Sequence, residues 1–170
     1  MLTIHRPLAD DSVSVLVDGD RIVALGPYAG LDAAHGDRAR LREWAGTLAA
    51  GRHEPDAVRQ LETLYWPDPR EAADLGTEPL PAASVPMTDT RWGASARRGL
   101  QRMLGRGVTA VAGPFTRPPV RTAVHRSGLS VTLTAPASPA PGARADFTVL
   151  AADGTSLVTV VGGRLLHRRA

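Results

Sequence analysis

The strongest constraint on the fold is that strand-type patterns occur at both ends of the chain. Near the N-terminus, "VSVLVDGDRIVALGP" places two apolar arms around Asp18-Gly19-Asp20. An Asp-Gly pair between alternating apolar residues predicts a β-hairpin, because the tight turn needs a positive φ that glycine adopts readily. Near the C-terminus, "DFTVLAADGTSLVTVVGGRLLHRR" predicts two or three further strands. The sequence therefore predicts a chain that is β at both ends.

The rest of the first fifty residues fits this pattern. "MLTIHR" predicts a short strand, and "RLREWAGTL", residues 40–48, predicts a single strand with Leu41, Glu43 and Ala45 on one side. "YAGLDAAHGDRA", residues 28–39, predicts a loop or a short helical turn between them.

The middle of the chain predicts alternating helices and strands instead. A helix is expected from Pro55, because Val58, Leu61, Leu64 and Tyr65 recur at helical spacing. Residues 67–89 are rich in proline, acids and small residues and predict a long irregular connection. The elements that follow alternate, with a helix at 89–107, a strand at 108–114, a helix at 118–128 and a strand at 129–136. That order is typical of a parallel sheet.

Composition excludes several classes of function. The chain has 170 residues and no cysteine, which rules out disulfides, thiolate metal ligands, iron–sulfur clusters and cysteine nucleophiles. The N-terminus carries two acids and a proline where a signal peptide needs an apolar run, and no stretch reaches the roughly 18 apolar residues of a membrane span. We therefore expect a cytoplasmic protein with no membrane partner.

The basic residues give only weak support for nucleic-acid binding. All 20 are arginines, there is no lysine, and the net charge is only +3. This bias is typical of a GC-rich genome. Arg98, Arg102 and Arg106 are four residues apart and, with Arg97, form a candidate anion patch on one predicted helix. Because aromatic residues for base stacking are few, weak nucleic-acid binding is the least favoured hypothesis.

Three segments resemble one known family when they are taken together. "VLVDGDRIVALGP", "GTLAAG" and the terminal "PGARADFTVLAADGTSLVTVVGGRLLHRR" are similar to the amidohydrolase superfamily, in particular to bacterial imidazolonepropionases and related deaminases. In that family the two chain ends form a small composite β-sandwich of the urease type, and a metal-dependent (β/α)₈ barrel is inserted between them. The resemblance implies an α+β fold, with a mainly-β sandwich from residues 1–52 and 141–170 and an insert at 53–140.

The insert is too short for the family's barrel. A (β/α)₈ barrel takes about 200–250 residues, whereas only ninety residues separate Gly51 from Gly142. We therefore expect a truncated βα insert, the remnant of a partial barrel. A truncated parallel sheet leaves exposed edges. This predicts either a homodimer formed through the insert or a connection at residues 67–87 that folds over the edge.

The resemblance also locates the family's first metal ligands, a His-x-His pair after the first barrel strand. Aligned on Gly51, this pair falls at Asp56 and Val58, and valine cannot bind a metal. No lysine is present to form the carboxylated bridge that some members use. His53 and Asp56 are thus weak candidate metal ligands, with a solvated turn before a helix as the favoured interpretation. We expect no cofactor; the alternative is zinc or another divalent metal.

Aromatic side chains supply the candidate ligand-binding residues. Tyr65 and Trp66 lie beside two prolines, and Trp92 lies in the first turn of the helix predicted at 89–107. These rings line a ligand groove or, as we favour, cover apolar surface of the reduced insert. The sequence therefore predicts a non-catalytic amidohydrolase-like protein, acting as a scaffold, binding or regulatory module with an unidentified small-molecule ligand. The alternative is a metal-dependent hydrolase of non-peptide C–N bonds, of the cyclic amide, amidine or deaminase type, whose site is completed by oligomerisation.

Overall fold

The computed structural model describes residues 1–169, which divide into two compact units. The first consists of Met1–Arg52, Leu104–Thr109 and the segment from Ala135 onward, and the second of His53–Met103 and Ala110–Thr134. In chain order the elements are β1 Leu2–Pro7, β2 Ser14–Asp18, β3 Arg21–Gly26, α1 Tyr28–His35, β4 Arg40–Trp44, β5 Thr47–Ala50, β6 Arg52–Glu54, α2 Ala57–Glu62, β7 Leu64–Tyr65, α3 Ala72–Leu75, β8 Leu80–Pro81, α4 Asp89–Leu104, β9 Val108–Val111, α5 Pro118–Ser127, β10 Ser130–Val131, β11 Phe147–Leu150, β12 Ser156–Val161 and β13 Arg164–Arg168. The predicted α+β class is confirmed.

The first unit contains two four-stranded sheets. One has the strand order β3-β2-β1-β4, with β1 antiparallel to β2 and parallel to β4. The other has the order β13-β12-β11-β5, in which all neighbours are antiparallel. Strand β5 pairs with β11, so that Thr47 lies opposite Leu150 and Ala50 opposite Phe147. Both ends of the chain therefore contribute strands to the second sheet.

Side chains from both sheets form one hydrophobic cluster. Its buried members are Val15, Val17, Ile22, Trp44, Ala145, Phe147, Val149, Val158 and Val160. Burial of a valine- or phenylalanine-sized side chain contributes about 1.5–3 kcal/mol, so this cluster is a major source of stability for the unit. Helix α1 packs Leu31 beside Ile4 and Leu16 in a second, smaller cluster.

One histidine lies inside this unit. His5 is 1% exposed, and its Nδ1 accepts a hydrogen bond of 3.2 Å from the Trp44 indole. The Phe147 ring packs against it in an edge-to-face arrangement, with ring centroids 5.1 Å apart. Burial, together with the positive charge of Arg42, lowers the pKa of His5 to about 3. His5 is therefore a neutral core residue at physiological pH.

The prediction of a single strand over residues 40–48 is wrong. The segment forms two strands, β4 and β5, which lie in different sheets. The Gly46 amide donates to the Trp44 carbonyl at 2.8 Å, which bends the chain. A side chain at Gly46 would also overlap the Leu150 carbonyl. Of the alternatives for residues 28–39, the short helix is confirmed as α1.

A further small sheet has the strand order β10-β9-β6, and its strand β10 belongs to the second unit. Strand β10 runs parallel to β9, and α5 connects them, as the alternating pattern predicted. Helix α4 is also confirmed, although it ends at Leu104. Its buried side chains recur at helical spacing and include Trp92, Ala96, Leu100 and Met103.

Two predictions for this unit need correction. The helix expected from Pro55 is only α2, because the chain then becomes extended and β7 pairs with β8, Tyr65 lying opposite Leu80. The connection after Trp66 is more regular than predicted. Asp68 and Glu71 form a capping box around a 3₁₀ turn, which continues into α3.

Among the described residues, no helix has both the length and the apolar character that crossing a bilayer requires.

Candidate functional site

The candidate metal ligands His53 and Asp56 have different partners. His53, at the centre of β6, donates from Nε2 to the Thr132 carbonyl oxygen at 2.9 Å. Asp56 precedes α2, and its carboxylate accepts a hydrogen bond of 2.7 Å from Arg59 Nε. Residues 1–169 contain no group of three or more histidine or carboxylate side chains arranged to hold a metal ion.

The residues around Asp56 form a local turn. The Asp56 amide donates to Glu54 Oε1 at 3.1 Å. An ion pair between Asp56 and Arg59, three residues apart, adds to the first turn of α2. A carboxylate at this end of a helix interacts favourably with the helix dipole. These contacts have the geometry of a turn before a helix, and Val58 follows as a half-buried apolar residue.

Tyr65 lies in a partly buried polar network instead of lining an open groove. Its ring is 2% exposed, and its hydroxyl donates a short hydrogen bond to Glu71 Oε2. Arg91 donates to the other Glu71 oxygen at 2.7 Å, and its guanidinium lies 4.8 Å from the Tyr65 ring centroid. The Tyr65 hydrogen bond is the largest of the interactions that lower the pKa of Glu71, and the Arg91 charge adds to it.

Trp66 also serves mainly to join elements of the second unit. Its indole donates to the Gln60 carbonyl at 2.9 Å, and its backbone amide donates to Ser95 Oγ at 2.9 Å. Arg98 donates to the Trp66 carbonyl at 2.8 Å and reaches Asp68 at 3.3 Å. These bonds connect α2, β7 and α4.

The arginines of the predicted anion patch do not form a single helix face. Arg98 is directed to the Trp66 backbone and to the Asp68 carboxylate. Arg106 lies beyond the end of α4 at Leu104, where the chain has already left the helix.

Trp92 is the aromatic candidate that borders an open cleft. The cleft has a volume of about 460 Å³ and lies within the second unit. Its lining residues are Glu62, Thr63, Ala82, Ala83, Val85, Met87, Trp92 and Arg117. The Arg117 guanidinium carbon lies 4.1 Å from the centroid of the Trp92 ring, which is a cation–π contact.

The buried carboxylate of this cleft, Glu62, was not predicted from the sequence. It is 7% exposed, and its Oε1 accepts hydrogen bonds from the backbone amides of Thr116 at 2.7 Å and Arg117 at 2.6 Å. Its Oε2 accepts a bond of 2.9 Å from the Thr116 hydroxyl. Glu62 thus fixes the loop that precedes α5.

A signal for such a carboxylate was present at the start of α5. The N-cap of this helix is Arg117, whose side chain cannot accept a hydrogen bond from the first turn, and two prolines follow. The two prolines have no amide hydrogen, so they need no acceptor. The backbone amides of Thr116 and Arg117 still need one, and no neighbouring side chain caps them. An acceptor from elsewhere in the chain was therefore to be expected, but the sequence did not indicate which one.

Comparison with protein families identifies one segment. The model of the imidazolonepropionase-like composite domain of bacteria matches residues 15–37, which comprise most of β2, all of β3 and α1. The predicted resemblance to imidazolonepropionases is confirmed for this segment. No curated protein sequence is significantly similar to the chain.

Several solved structures have partly similar folds. Ochratoxinase from A. niger matches with a TM-score of 0.48 at 15% identity, over 76% of this chain and 30% of that one. N-isopropylammelide isopropylaminohydrolase from Burkholderia multivorans matches with a TM-score of 0.47 at 18% identity, over 77% of this chain and 36% of that one. A zinc-bound adenosine deaminase from Xanthomonas campestris matches with a TM-score of 0.46 at 18% identity, over 74% of this chain and 30% of that one. The chain thus spans about a third of the length of these proteins.

Proposed function

We propose that this chain is a non-catalytic amidohydrolase-like protein that acts as a scaffold, binding or regulatory module. The observation that carries the proposal is the residue pair at positions 56 and 58. By the resemblance, two histidines that face a metal are expected there, and the chain has Asp56 and Val58. A valine side chain has no lone pair to donate to a metal, so the first pair of metal ligands is incomplete.

The contacts of Asp56 support the same proposal. Its carboxylate is already paired with Arg59, and a metal ion would have to compete with that guanidinium. The lysine that bridges two metals in some amidohydrolases has no counterpart, because the chain contains no lysine.

We further propose that the first unit is a composite β-sandwich of the urease type and that the second is the remnant of a partial barrel. The hydrophobic cluster that β2 and β3 share with β11 and β12 supports the first assignment. The parallel β9-α5-β10 unit supports the second, because a strand–helix–strand crossover is the repeating element of a (β/α)₈ barrel.

Metal content of the purified protein tests this proposal. The protein is incubated with zinc, manganese or iron(II), dialysed and analysed by plasma mass spectrometry, beside an Asp56→Ala variant. We expect far less than one metal ion per chain in both proteins. We also expect no hydrolysis of cyclic amides or aminopurines above the rate without protein. An Arg59→Ala variant is analysed in parallel, because it removes the ion-pair partner of Asp56 and leaves the Asp56 carboxylate in place.

The competing hypothesis is a hydrolase of non-peptide C–N bonds that uses zinc or another divalent metal. The match of residues 15–37 to an imidazolonepropionase-like domain is the observation in its favour. Stoichiometric metal that is lost in Asp56→Ala, together with turnover, would establish the hydrolase and overturn the non-catalytic proposal.

We also propose that the chain forms a homodimer through the second unit. Strand β10 is at one edge of its sheet. Val131, in this strand, is 56% exposed, and Leu133, two residues later, is 79% exposed. An open sheet edge with apolar side chains favours pairing with another chain. Size-exclusion chromatography with light scattering should give twice the chain mass of 17.9 kDa. A monomer at high protein concentration would exclude the dimer.

A further inference from the structure

The cleft of the second unit combines an exposed cation, an aromatic ring and an apolar wall. We infer that this cleft binds a small carboxylate with an apolar body, and that Arg117 recognises the carboxylate. The inference deepens the proposed function, since it rests on the chain being a binding module and names the class of its ligand.

Arg117 is held in place without being neutralised. Its Nε donates to the Glu62 backbone carbonyl at 3.2 Å, and its guanidinium lies against the Trp92 ring. Within residues 1–169 no ion pair joins its guanidinium to a carboxylate, and the residue is exposed. The two terminal nitrogens therefore remain as donors in a fixed orientation. A planar guanidinium fork matches a carboxylate with two parallel hydrogen bonds.

The rest of the cleft is suited to an apolar body. Ala82, Val85 and Met87 contribute apolar lining, with the buried Trp92 beside them. The volume of about 460 Å³ is within the range of small-molecule sites in proteins. Arg117 ends the loop that follows the carboxyl end of β9, and ligands of α/β proteins bind outside the carboxyl ends of strands.

The carboxylate of Glu62 does not satisfy Arg117 in place of a ligand. Each of its oxygens already accepts at least one hydrogen bond, from Thr116 or from the Arg117 amide. These bonds fix the loop that carries Arg117. Glu62 therefore positions the loop, and the terminal nitrogens of Arg117 are left for an incoming anion.

Titration of the protein with a matched pair of probes tests the inference. The probes are 4-phenylbutyrate and its uncharged analogue 4-phenylbutanamide, which have the same apolar body. Binding is followed by ¹H–¹⁵N NMR of the full chain. We expect shifts of the amides around the cleft, including Ala83 and Arg117. We also expect the acid to bind about tenfold or more tightly than the amide, because hydrogen bonds to charged groups are the stronger ones.

Two variants show whether Arg117 is responsible. Arg117→Gln removes the charge and should abolish the preference for the acid. Arg121→Gln removes an exposed charge one turn later on α5 and should leave the preference unchanged. Both spectra should otherwise match that of the wild type, which confirms folding.

Several results would overturn the inference. These are equal affinities for acid and amide, shifts that lie away from the cleft, tighter binding of 4-phenylbutylamine than of the acid, or an equal loss of preference in Arg121→Gln. The outcome is distinguishable from failure of the proposed function. If the protein holds no metal and binds neither probe, the inference about the cleft is wrong and the non-catalytic proposal stands. If the protein holds metal and shows catalytic turnover, the non-catalytic proposal is wrong, whether or not the probes bind.

Discussion

At Gly163 the backbone leaves no room for a side chain. This glycine lies in the turn between β12 and β13 with φ +70°, and a Cβ there would overlap the Gly19 carbonyl oxygen. Its amide also donates to the Ala145 carbonyl at 3.0 Å. The hairpin turns of the two chain ends therefore meet backbone to backbone.

We expect Gly163→Ala to destabilise the protein by roughly 2–5 kcal/mol. A left-handed φ costs alanine about 1–2 kcal/mol, and overpacking adds about 1–3 kcal/mol. Gly154→Ala is the matched control, because its φ is +80° but no atom lies within 4 Å of the added Cβ. Urea unfolding of both variants measures the difference. Equal losses in the two variants would mean that the close approach to Gly19 contributes nothing.

The buried His5 predicts how stability depends on pH. Its folded-state pKa of about 3 lies below the ordinary 6.5, because burial and the Arg42 charge disfavour the charged ring. Below pH 6.5 the unfolded chain therefore binds more protons than the native chain. The contribution of His5 to stability is complete above pH 6.5 and falls as the pH drops towards 3, by about 1.4 kcal/mol per pH unit.

Comparison with a non-titrating ring isolates this effect. Urea unfolding between pH 4 and 7 should show a steep slope in the wild type and a shallower slope in His5→Phe. His167, whose pKa is also lowered by burial and Arg169, contributes to both proteins and cancels in the comparison. An unchanged slope in His5→Phe would contradict the prediction.

At this scale the sequence indicated local chemistry but not long-range partners. The Asp-Gly turn followed from the conformational freedom of Gly19, which has φ +57°. The core position of His5 did not, because its hydrogen bond comes from Trp44, 39 residues away. Glu62 and Arg117 escaped prediction for the same reason, since they meet across 55 residues.

Helix α4 offers a test of packing at the scale of one element, because it carries two buried glycines. A Cβ on Gly99 would lie 2.6 Å from Leu61 Cδ2 and 2.7 Å from Trp66 Nε1. Neither neighbour moves freely, since Leu61 is 0% exposed and the Trp66 indole is hydrogen-bonded to the Gln60 carbonyl. A Cβ on Gly93 would make its nearest contact at an ordinary 3.7 Å, with Pro119.

We therefore expect opposite effects from the same substitution in one helix. Gly93→Ala should stabilise the protein by about 0.5–1 kcal/mol, because alanine is the better helix former. Gly99→Ala should destabilise it by about 1–2 kcal/mol, because overpacking outweighs that gain. Thermal unfolding distinguishes the two. A stabilised Gly99→Ala would show that α4 does not pack closely on Leu61 and Trp66.

Elements with their own periodic pattern were predictable. The apolar positions of α4 and the α5 boundaries at Pro118 and Gly128 agree with the structure, because capping and periodicity act within a few residues. The pattern over Val58, Leu61 and Leu64 continued past the true end of α2. There Leu64 lies opposite Pro81 and Tyr65 opposite Leu80, and this strand pairing overrode the local helical preference.

For the whole molecule, the main feature is that the first unit is discontinuous in sequence. Strand β5 has its sheet partner in β11, about a hundred residues later, and the shared cluster joins Val15 and Val17 to Phe147 and Val149. The strand patterns at both ends were visible in the sequence. Their pairing was expected from the family resemblance alone, because composition and periodicity carry no information on which strands meet.

This discontinuity predicts the behaviour of a truncated chain. Residues 1–140 lack β11, β12 and β13, so β5 loses its sheet partner β11 and the buried faces of β2 and β3 become exposed. Apolar burial of this kind dominates the stability of a domain. We expect hydrogen exchange with mass spectrometry to show lost protection over residues 2–50 in the truncated chain. Co-expression with a separate 141–170 fragment should restore that protection and allow the two pieces to be purified together.

A chain lacking only residue 170 is the control, because it keeps β13, which ends at Arg168, and the Arg169 amide, which donates to the Leu157 carbonyl at 2.8 Å. It should keep the exchange pattern of the full chain. If residues 1–140 alone retain native protection over β1 to β5, the core cluster does not depend on the C-terminal strands, and the two ends are not parts of one cooperative unit. If the fragment purifies with residues 1–140 but protection is not restored, association occurs without the native pairing of β5 with β11.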